Sequence, residues 1–200
     1  MNMNPATLEE RLELARQKSG SNLDCQVIEL LKPYLGAWPQ DGKAWLLLGE
    51  ALRGVGRYTE AAESLKKALA LSPDRERSRI WCGLGRLYQK SASPGEAKPW
   101  FDLATREDPA PNAWVLRGEN LLLLQEYPEA IRCFTHATAL DSENYQEAVL
   151  GMARAYRAMQ DYPKAIRCAQ QVLRKNAAST DAQYLIDELS PLLPRALETA

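Results

Sequence analysis

The chain has 200 residues, of which 46% are hydrophobic, and its formal net charge is −1 at pH 7. This apolar content is ordinary for a folded protein, and the near-neutral charge argues against a general nucleic-acid binder, which would be clearly basic. No apolar run approaches the roughly 20 residues that cross a bilayer, and the first residues contain no apolar signal core. We therefore expect a cytoplasmic protein that neither inserts into membranes nor binds nucleic acid.

Two helices are predicted at the N-terminus. Leu8 and Leu12 recur at helical spacing within residues 6–18, and residues 23–35 show the same apolar periodicity. We interpret this segment, residues 1–41, as a pair of capping helices that forms a degenerate copy of the pattern described next.

A sequence pattern recurs four times in the rest of the chain. Each copy has a large apolar residue that is followed sixteen residues later by an alanine. The four pairs are Trp45 and Ala61, Trp81 and Ala97, Trp114 and Ala130, and Val149 and Ala165. Successive copies begin after 36, 33 and 35 residues. A period of this length is typical of stacked supersecondary units, in which each unit packs on its neighbours.

The first copy indicates how one unit folds. Trp45, Leu48 and Leu52 recur at i, i+3 and i+7, which is the pattern of one helix face. Glycines in residues 54–56 interrupt this helix, and a second helix is predicted over about 59–71. Each copy is therefore predicted to be an antiparallel helical hairpin, and the fold class to be an all-α solenoid of such hairpins.

Glycine recurs in the first helix of three copies, at Gly49, Gly85 and Gly118, and the fourth copy has Ala153 there. Since these residues have little or no side chain, we expect them to allow close approach of the second helix.

These residues carry a family resemblance. The pattern W-x2-L-G-x2-[LY], followed by A-x3-F-x2-A and a closing proline, resembles the tetratricopeptide repeat. Trp81 to Tyr88 follows it almost letter for letter, whereas Val149 replaces the tryptophan of the fourth copy. The resemblance implies a right-handed α-solenoid whose repeats span residues 42–179, at about 42–75, 78–111, 111–144 and 146–179. Residues 180–200 are expected to be a C-terminal capping helix and a tail.

The resemblance also implies a binding surface, because the first helices of this family line a concave groove. It assigns to that groove Lys43, Leu46, Glu50, Arg53, Arg79, Cys82, Arg86, Lys90, Val115, Leu116, Glu119, Leu122, Leu123, Leu150, Arg154 and Arg157. Basic residues border an apolar strip in the third repeat, which favours a protein or peptide partner with apolar anchors and acidic groups. The alternative is that the leucines pack on a neighbouring helix and the arginines form a solvated face.

One partner class is disfavoured. Co-chaperones of this family hold the C-terminal carboxylate of heat-shock proteins with a lysine and an asparagine in the first repeat. The matching positions here are Leu46 and Glu50. A glutamate would repel that carboxylate.

Catalytic and metal sites are not predicted. The sequence has no glycine-rich phosphate loop and no H-E-x-x-H or G-x-S-x-G motif. His136, the single histidine, lies in a predicted second helix and is expected to be an exposed helical residue. The four cysteines contain no C-x-x-C pair, so we expect free thiols and no metal or cofactor.

The leading functional interpretation is a non-catalytic adaptor, scaffold, chaperone or assembly factor that binds a protein segment in the groove. The alternative is structural self-association, for example as a homodimer, through the caps or the convex face, where Trp38 and Trp100 could be exposed. A third interpretation is an accessory domain whose catalytic partner lies on another chain.

Overall fold

The computed structural model describes residues 7–10, 13, 23–107, 110–140 and 143–193. Residues 7–10 and 13 are helical, whereas the rest of the helix predicted over 6–18 lies outside the described residues. The helices that follow are α1 (Leu23–Ala37), α2 (Gly42–Gly54), α3 (Tyr58–Leu71), α4 (Asp74–Lys90), α5 (Pro94–Glu107), α6 (Pro111–Leu123), α7 (Tyr127–Ala139), α8 (Tyr145–Ala158), α9 (Tyr162–Lys175) and α10 (Thr180–Leu189). A short 3-10 helix at Ser190–Leu192 follows α10. The predicted all-α solenoid of helical hairpins is confirmed.

The chain divides into two compact units, an N-terminal unit that ends at Ala104 and a C-terminal unit that begins at Thr105. In the N-terminal unit one apolar cluster contains residues from each of the helices α1, α2, α3 and α4. Its fully buried members include Leu31, Leu65 and Leu84. In the C-terminal unit, Phe134 and Val149 belong to clusters that bury the inner faces of α6 to α10. Each unit is therefore a continuous layer of helices, as expected for a repeat protein.

The recurring glycine explains how the two helices of a hairpin pack. A Cβ atom placed on Gly118 of α6 would lie 2.7 Å from Cε1 of Phe134 in α7, and one on Gly85 of α4 would lie 2.6 Å from Cε1 of Phe101 in α5. These distances are too short for a real side chain. The expectation that this glycine allows close approach of the second helix is thus confirmed.

All four hairpins turn in the same way. The residue eleven positions after each tryptophan or Val149 has a positive φ, and these residues are Gly56, Ala92, Gln125 and Gln160. In the third hairpin the backbone N–H of Gln125 donates to Leu122 O at 3.0 Å, and that of Glu126 donates to Leu121 O at 2.9 Å. This pair of bonds is the Schellman motif, which satisfies the last carbonyls of the helix. A shared turn accounts for the constant sixteen-residue spacing.

A buried tyrosine connects α1 to the start of α2. The hydroxyl of Tyr34, which is almost fully buried, donates to Asp41 Oδ2 at 2.8 Å. The other oxygen of Asp41 accepts from the backbone N–H of Ala44 at 3.0 Å and so caps the N-terminus of α2. Burial, and then the hydrogen bond to Asp41, raise the pKa of Tyr34 to about 12.

Candidate functional site

The first helices of neighbouring hairpins contact one another inside each unit, α2 with α4 and α6 with α8. The residues that the sequence assigns to a binding groove lie on these first helices, and only some of them are exposed. We call the exposed faces of these helices the first-helix faces.

In the N-terminal unit the predicted residues fall into three groups. Leu46 and Cys82 are buried, and Glu50 and Arg53 are partly exposed. The exposed residues are Lys43, Arg79, Arg86 and Lys90. The exposed surface of this face is therefore mainly basic.

An ion pair connects the two first helices of this unit. Arg79 of α4 donates to both carboxylate oxygens of Glu50 in α2, with Nη2 3.2 Å from Oε1 and 3.0 Å from Oε2. This two-point contact holds the carboxylate in one orientation. Glu50 is therefore engaged within the protein.

Two further arginines of the same face lie close together. The pKa of Arg53 is lowered, first by burial and then by the positive charge of Arg86. The Nε–H of Arg53 is buried and has no hydrogen-bond partner in the part of the chain that the structure describes. Both arginines line a pocket of about 360 Å³ together with Asp24 and Val27 of α1.

In the C-terminal unit the apolar residues of the predicted strip are mostly buried. Val115, Leu116 and Leu150 are less than a tenth exposed. Leu122 is half-buried and packs against the core cluster of α6 and α7. Leu123, with 59% of its surface exposed, is the residue of the predicted strip that presents most apolar area to solvent.

The charged residues of this unit are more accessible. Glu119 is partly exposed, whereas Arg154 and Arg157 of α8 are exposed. Arg157 forms an ion pair with Glu188 of α10 at 2.9 Å. For Arg154, no hydrogen bond or ion pair with another described residue is found.

The burial of predicted groove residues recurs at one position of the repeat. Leu46, Cys82, Val115 and Leu150 each directly follow the tryptophan or Val149 of their repeat, and all four are buried. The burial recurs at the same position of every repeat, so the residues assigned there present little side-chain surface to solvent. The residues one helical turn after this position are more accessible, and they include the exposed Arg86 and Arg154.

The sequence did not indicate that α1 contributes to this surface. Asp24 and Val27 lie in a segment interpreted as a cap, yet they share a pocket with Arg53 and Arg86. The signal was available in principle, since residues 23–35 have the periodicity of a helix that packs on the next one.

Residues that could support chemistry are dispersed. His136 is exposed on α7, and its ring stacks on that of Trp114 with centroids 4.6 Å apart. All four cysteines are free, and burial raises the pKa of the Cys168 thiol. Over the described residues, no three His, Cys, Asp or Glu side chains are grouped so as to hold a metal ion. None of the described helices is long and apolar enough to span a membrane.

Family comparisons agree with the repeat pattern. Two family models, both described as tetratricopeptide repeat, match the chain, one over residues 28–76 and 150–186 and the other over residues 78–111. Together they cover more than half of the sequence. The chain belongs to the tetratricopeptide repeat family, whose members generally mediate protein–protein interactions. No curated protein sequence matches it.

Several solved structures share the fold. The chain is similar to YrrB, described as a TPR protein with an unusual peptide-binding site, at 18% identity and a TM-score of 0.68, with 88% of this chain and 90% of that one covered. It is also similar to MamA, at 19% identity and a TM-score of 0.71 over 88% and 97% of the two chains. A thermophilic TPR protein of Thermus thermophilus has 21% identity and a TM-score of 0.69 over 93% and 100%. At these identities the likeness establishes the fold.

Proposed function

We propose that the chain is a non-catalytic adaptor, scaffold, chaperone or assembly factor, and that it binds a protein or peptide segment on its first-helix faces. The partner has apolar anchors and acidic groups. The peptide-binding site of YrrB, a protein of the same fold, supports peptide binding here. The four free cysteines suit a reducing compartment, which supports a cytoplasmic location.

The observation that carries this proposal is a repeated exposed arginine. Arg86 and Arg154 occupy the same position in their repeats, five residues after Trp81 and Val149. Both are exposed, and neither has a hydrogen bond or ion pair with a described residue. Arginines without internal partners contribute little to the fold and can make charge-assisted hydrogen bonds to acidic groups of a ligand.

Leu123 is the residue of the predicted apolar strip that is most exposed, and we assign to it the contact with an apolar anchor of the partner. Changing Leu123→Ser is expected to weaken partner binding by about 1–3 kcal/mol, on the scale of burying a leucine side chain. The melting temperature should stay nearly unchanged, because the side chain is largely exposed in the free protein. The measurement is calorimetric titration of the full chain with a partner that has been captured from extract, identified by mass spectrometry and purified.

Leu140→Ser is the matched control for this prediction. Leu140, which is 48% exposed, follows the second helix α7 of the same unit, away from the positions assigned to binding. This variant should bind the partner like the unmodified protein. Equal losses from Leu123→Ser and Leu140→Ser would argue against the first-helix face, and no loss from either would remove Leu123 from the site.

The alternative, self-association through the caps, has its own support. Trp38 after α1 is 46% exposed and Tyr184 on α10 is 66% exposed, whereas Trp100 is half-buried and stacks on Tyr88. Exposed aromatic residues in the N-terminal and C-terminal caps are suited to contacts with a second copy. Sedimentation velocity at several concentrations separates the two functions, because a monomer at all concentrations would eliminate self-association.

A further inference from the structure

The pocket that contains Arg53 and Arg86 differs from the rest of the first-helix face because it is concave and partly apolar. The pocket has a volume of about 360 Å³ and lies between the start of α1 and the end of α2. That volume is more than ten times the roughly 30 Å³ that a water molecule occupies in the liquid, so a side chain can enter. Val27, Leu47 and Ala51 provide its apolar wall.

Two guanidinium groups line this pocket, and neither makes a hydrogen bond to a described residue. Arg53 and Arg86 are close enough for the charge of one to disfavour the charge of the other. The Nε–H of Arg53 is buried and donates to no described residue. Two adjacent cations with a free buried donor are an unfavourable arrangement unless an acceptor is supplied from outside.

The carboxylates near the pocket do not supply that acceptor. Glu50 is held by Arg79 at 3.0 Å. The carboxylate of Asp24 lies against the backbone of Gly54, where a Cβ would be 1.9 Å from Oδ2. Both attract Arg53 electrostatically, yet among the described residues neither accepts a hydrogen bond from Arg53 or Arg86.

We propose that this pocket binds one side-chain carboxylate, from a glutamate or aspartate of a bound protein segment. The proposal rests on the proposed function and assigns a specific acceptor to its N-terminal unit. The carboxylate would accept from the Nε–H of Arg53 and from the guanidinium of Arg86. The methylene groups of the ligand side chain would pack on Leu47 and Ala51.

The charge of the pocket favours a monoanion over a phosphate. Asp24 and Glu50 remain at its edge and repel any anion. A phosphate group carries about −1.5 to −2 charges at pH 7 and would be repelled more strongly than a carboxylate with a single charge. A chain terminus has the right charge but lacks the methylene groups that the apolar wall would accommodate.

The test uses small probes and the full ¹⁵N-labelled chain. The Nε–H resonances of Arg53 and Arg86 are followed by NMR during titration with N-acetylglutamate N-methylamide. N-acetylglutamine N-methylamide is the neutral probe of the same shape. N-acetylalanine and inorganic phosphate represent a chain terminus and a phosphate group.

We expect the glutamate probe to shift both resonances saturably and the glutamine probe to leave them in place. Arg86→Gln should lower the affinity for the glutamate probe at least about fivefold, since one of two charged donors is lost. Arg167→Gln, at an exposed position of the second helix α9, is the matched control and should not change the affinity for this probe. Equal response to both amide probes, no response, or tighter binding of N-acetylalanine or phosphate would each overturn the proposal.

The probe titration and the Leu123→Ser measurement can fail independently of each other. Leu123 lies in the other unit and is tested with the whole partner. If the pocket fails this test while Leu123→Ser still weakens partner binding, the interaction module stands and only the acidic side-chain pocket is removed.

Discussion

Replacing Phe134 with alanine is expected to lower the free energy of unfolding by about 3–5 kcal/mol, the usual cost of removing a buried phenylalanine. Phe134 is fully buried, and its ring lies against two glycines, Gly118 of α6 and Gly151 of α8. The ring therefore contacts the first helix of its own hairpin and that of the next. Its loss leaves a cavity that neither glycine can fill.

The prediction is checked by chemical denaturation of the full chain. Tyr184→Ala is the control, since Tyr184 is an exposed aromatic residue on α10 and its removal should cost less than about 0.5 kcal/mol. A loss below about 1 kcal/mol for Phe134→Ala would mean that the ring is not the contact between these helices.

A second substitution, Gly118→Ala, sharpens this test because its effect on the free energy of unfolding should change sign when Phe134 is removed. In the unmodified protein Gly118→Ala places a Cβ 2.7 Å from the ring of Phe134 and should be destabilising. In the Phe134→Ala background that obstacle is absent, and the better helix propensity of alanine should stabilise the chain by about 0.5–1 kcal/mol. An effect of equal sign in both backgrounds would contradict the packing described here.

The second large effect is expected for Asp41→Ala, which should lower the free energy of unfolding by about 2–4 kcal/mol. Loss of an N-cap costs about 0.5–2 kcal/mol, and a buried hydroxyl left without a partner costs about 1–3 kcal/mol. Asp41 has both roles, as the cap of α2 and as the acceptor for Tyr34. Asp41→Asn retains an acceptor and is the control, with a smaller loss. Chemical denaturation of the three chains measures the difference, and equal losses from both substitutions would contradict the assigned roles.

The same contact predicts a pH dependence. Burial and Asp41 raise the pKa of Tyr34 to about 12, so the folded state favours the neutral phenol. The unfolded chain titrates near a pKa of about 10. The stability that this group contributes is thus fully present below about pH 10 and is lost between about pH 10 and 12. The difference in unfolding free energy between the unmodified chain and Tyr34→Phe should fall over that range, and a constant difference would contradict the assignment.

The repeat architecture could be predicted from the sequence because it depends on local, repeated signals. Gly85 lies against Phe101 of the second helix, and the spacing of Trp81, Gly85 and Ala97 recurs along the chain. The left-handed residue of each turn could not be predicted in the same way. Of the four, Gly56 alone is a residue type suited to positive φ, whereas alanine or glutamine occupies the other three turns because the hydrogen bonds around them fix the backbone.

The candidate site was predictable only in part. The exposed charges of Arg86 and Arg154 follow from helix periodicity. The burial of Leu116 and Leu150 depends on how other helices pack on the first helices, which the pattern of a single helix does not specify. The pocket of Arg53 depends on the position of α1, which lies outside the recurring pattern and whose Asp24 is distant in sequence.

The proposed binding of partners to the first-helix faces is tested most directly by reversing charge on first helices and, for comparison, on second helices. The paired variant Arg86→Glu with Arg154→Glu changes two first-helix arginines. The control pair, Lys66→Glu with Arg167→Glu, makes the same change of charge at exposed positions of the second helices α3 and α9. Association rates with the purified partner are measured by stopped flow at low and high salt.

The first pair should slow association by about tenfold or more at low salt and by less at high salt, because charge steers the encounter and salt screens it. The control pair should differ from the unmodified chain by less than about twofold, since its charges lie on second helices and not on the first-helix faces. Equal slowing by both pairs, or partner binding that is unaffected by Arg86→Glu with Arg154→Glu, would contradict the assignment of binding to the first helices.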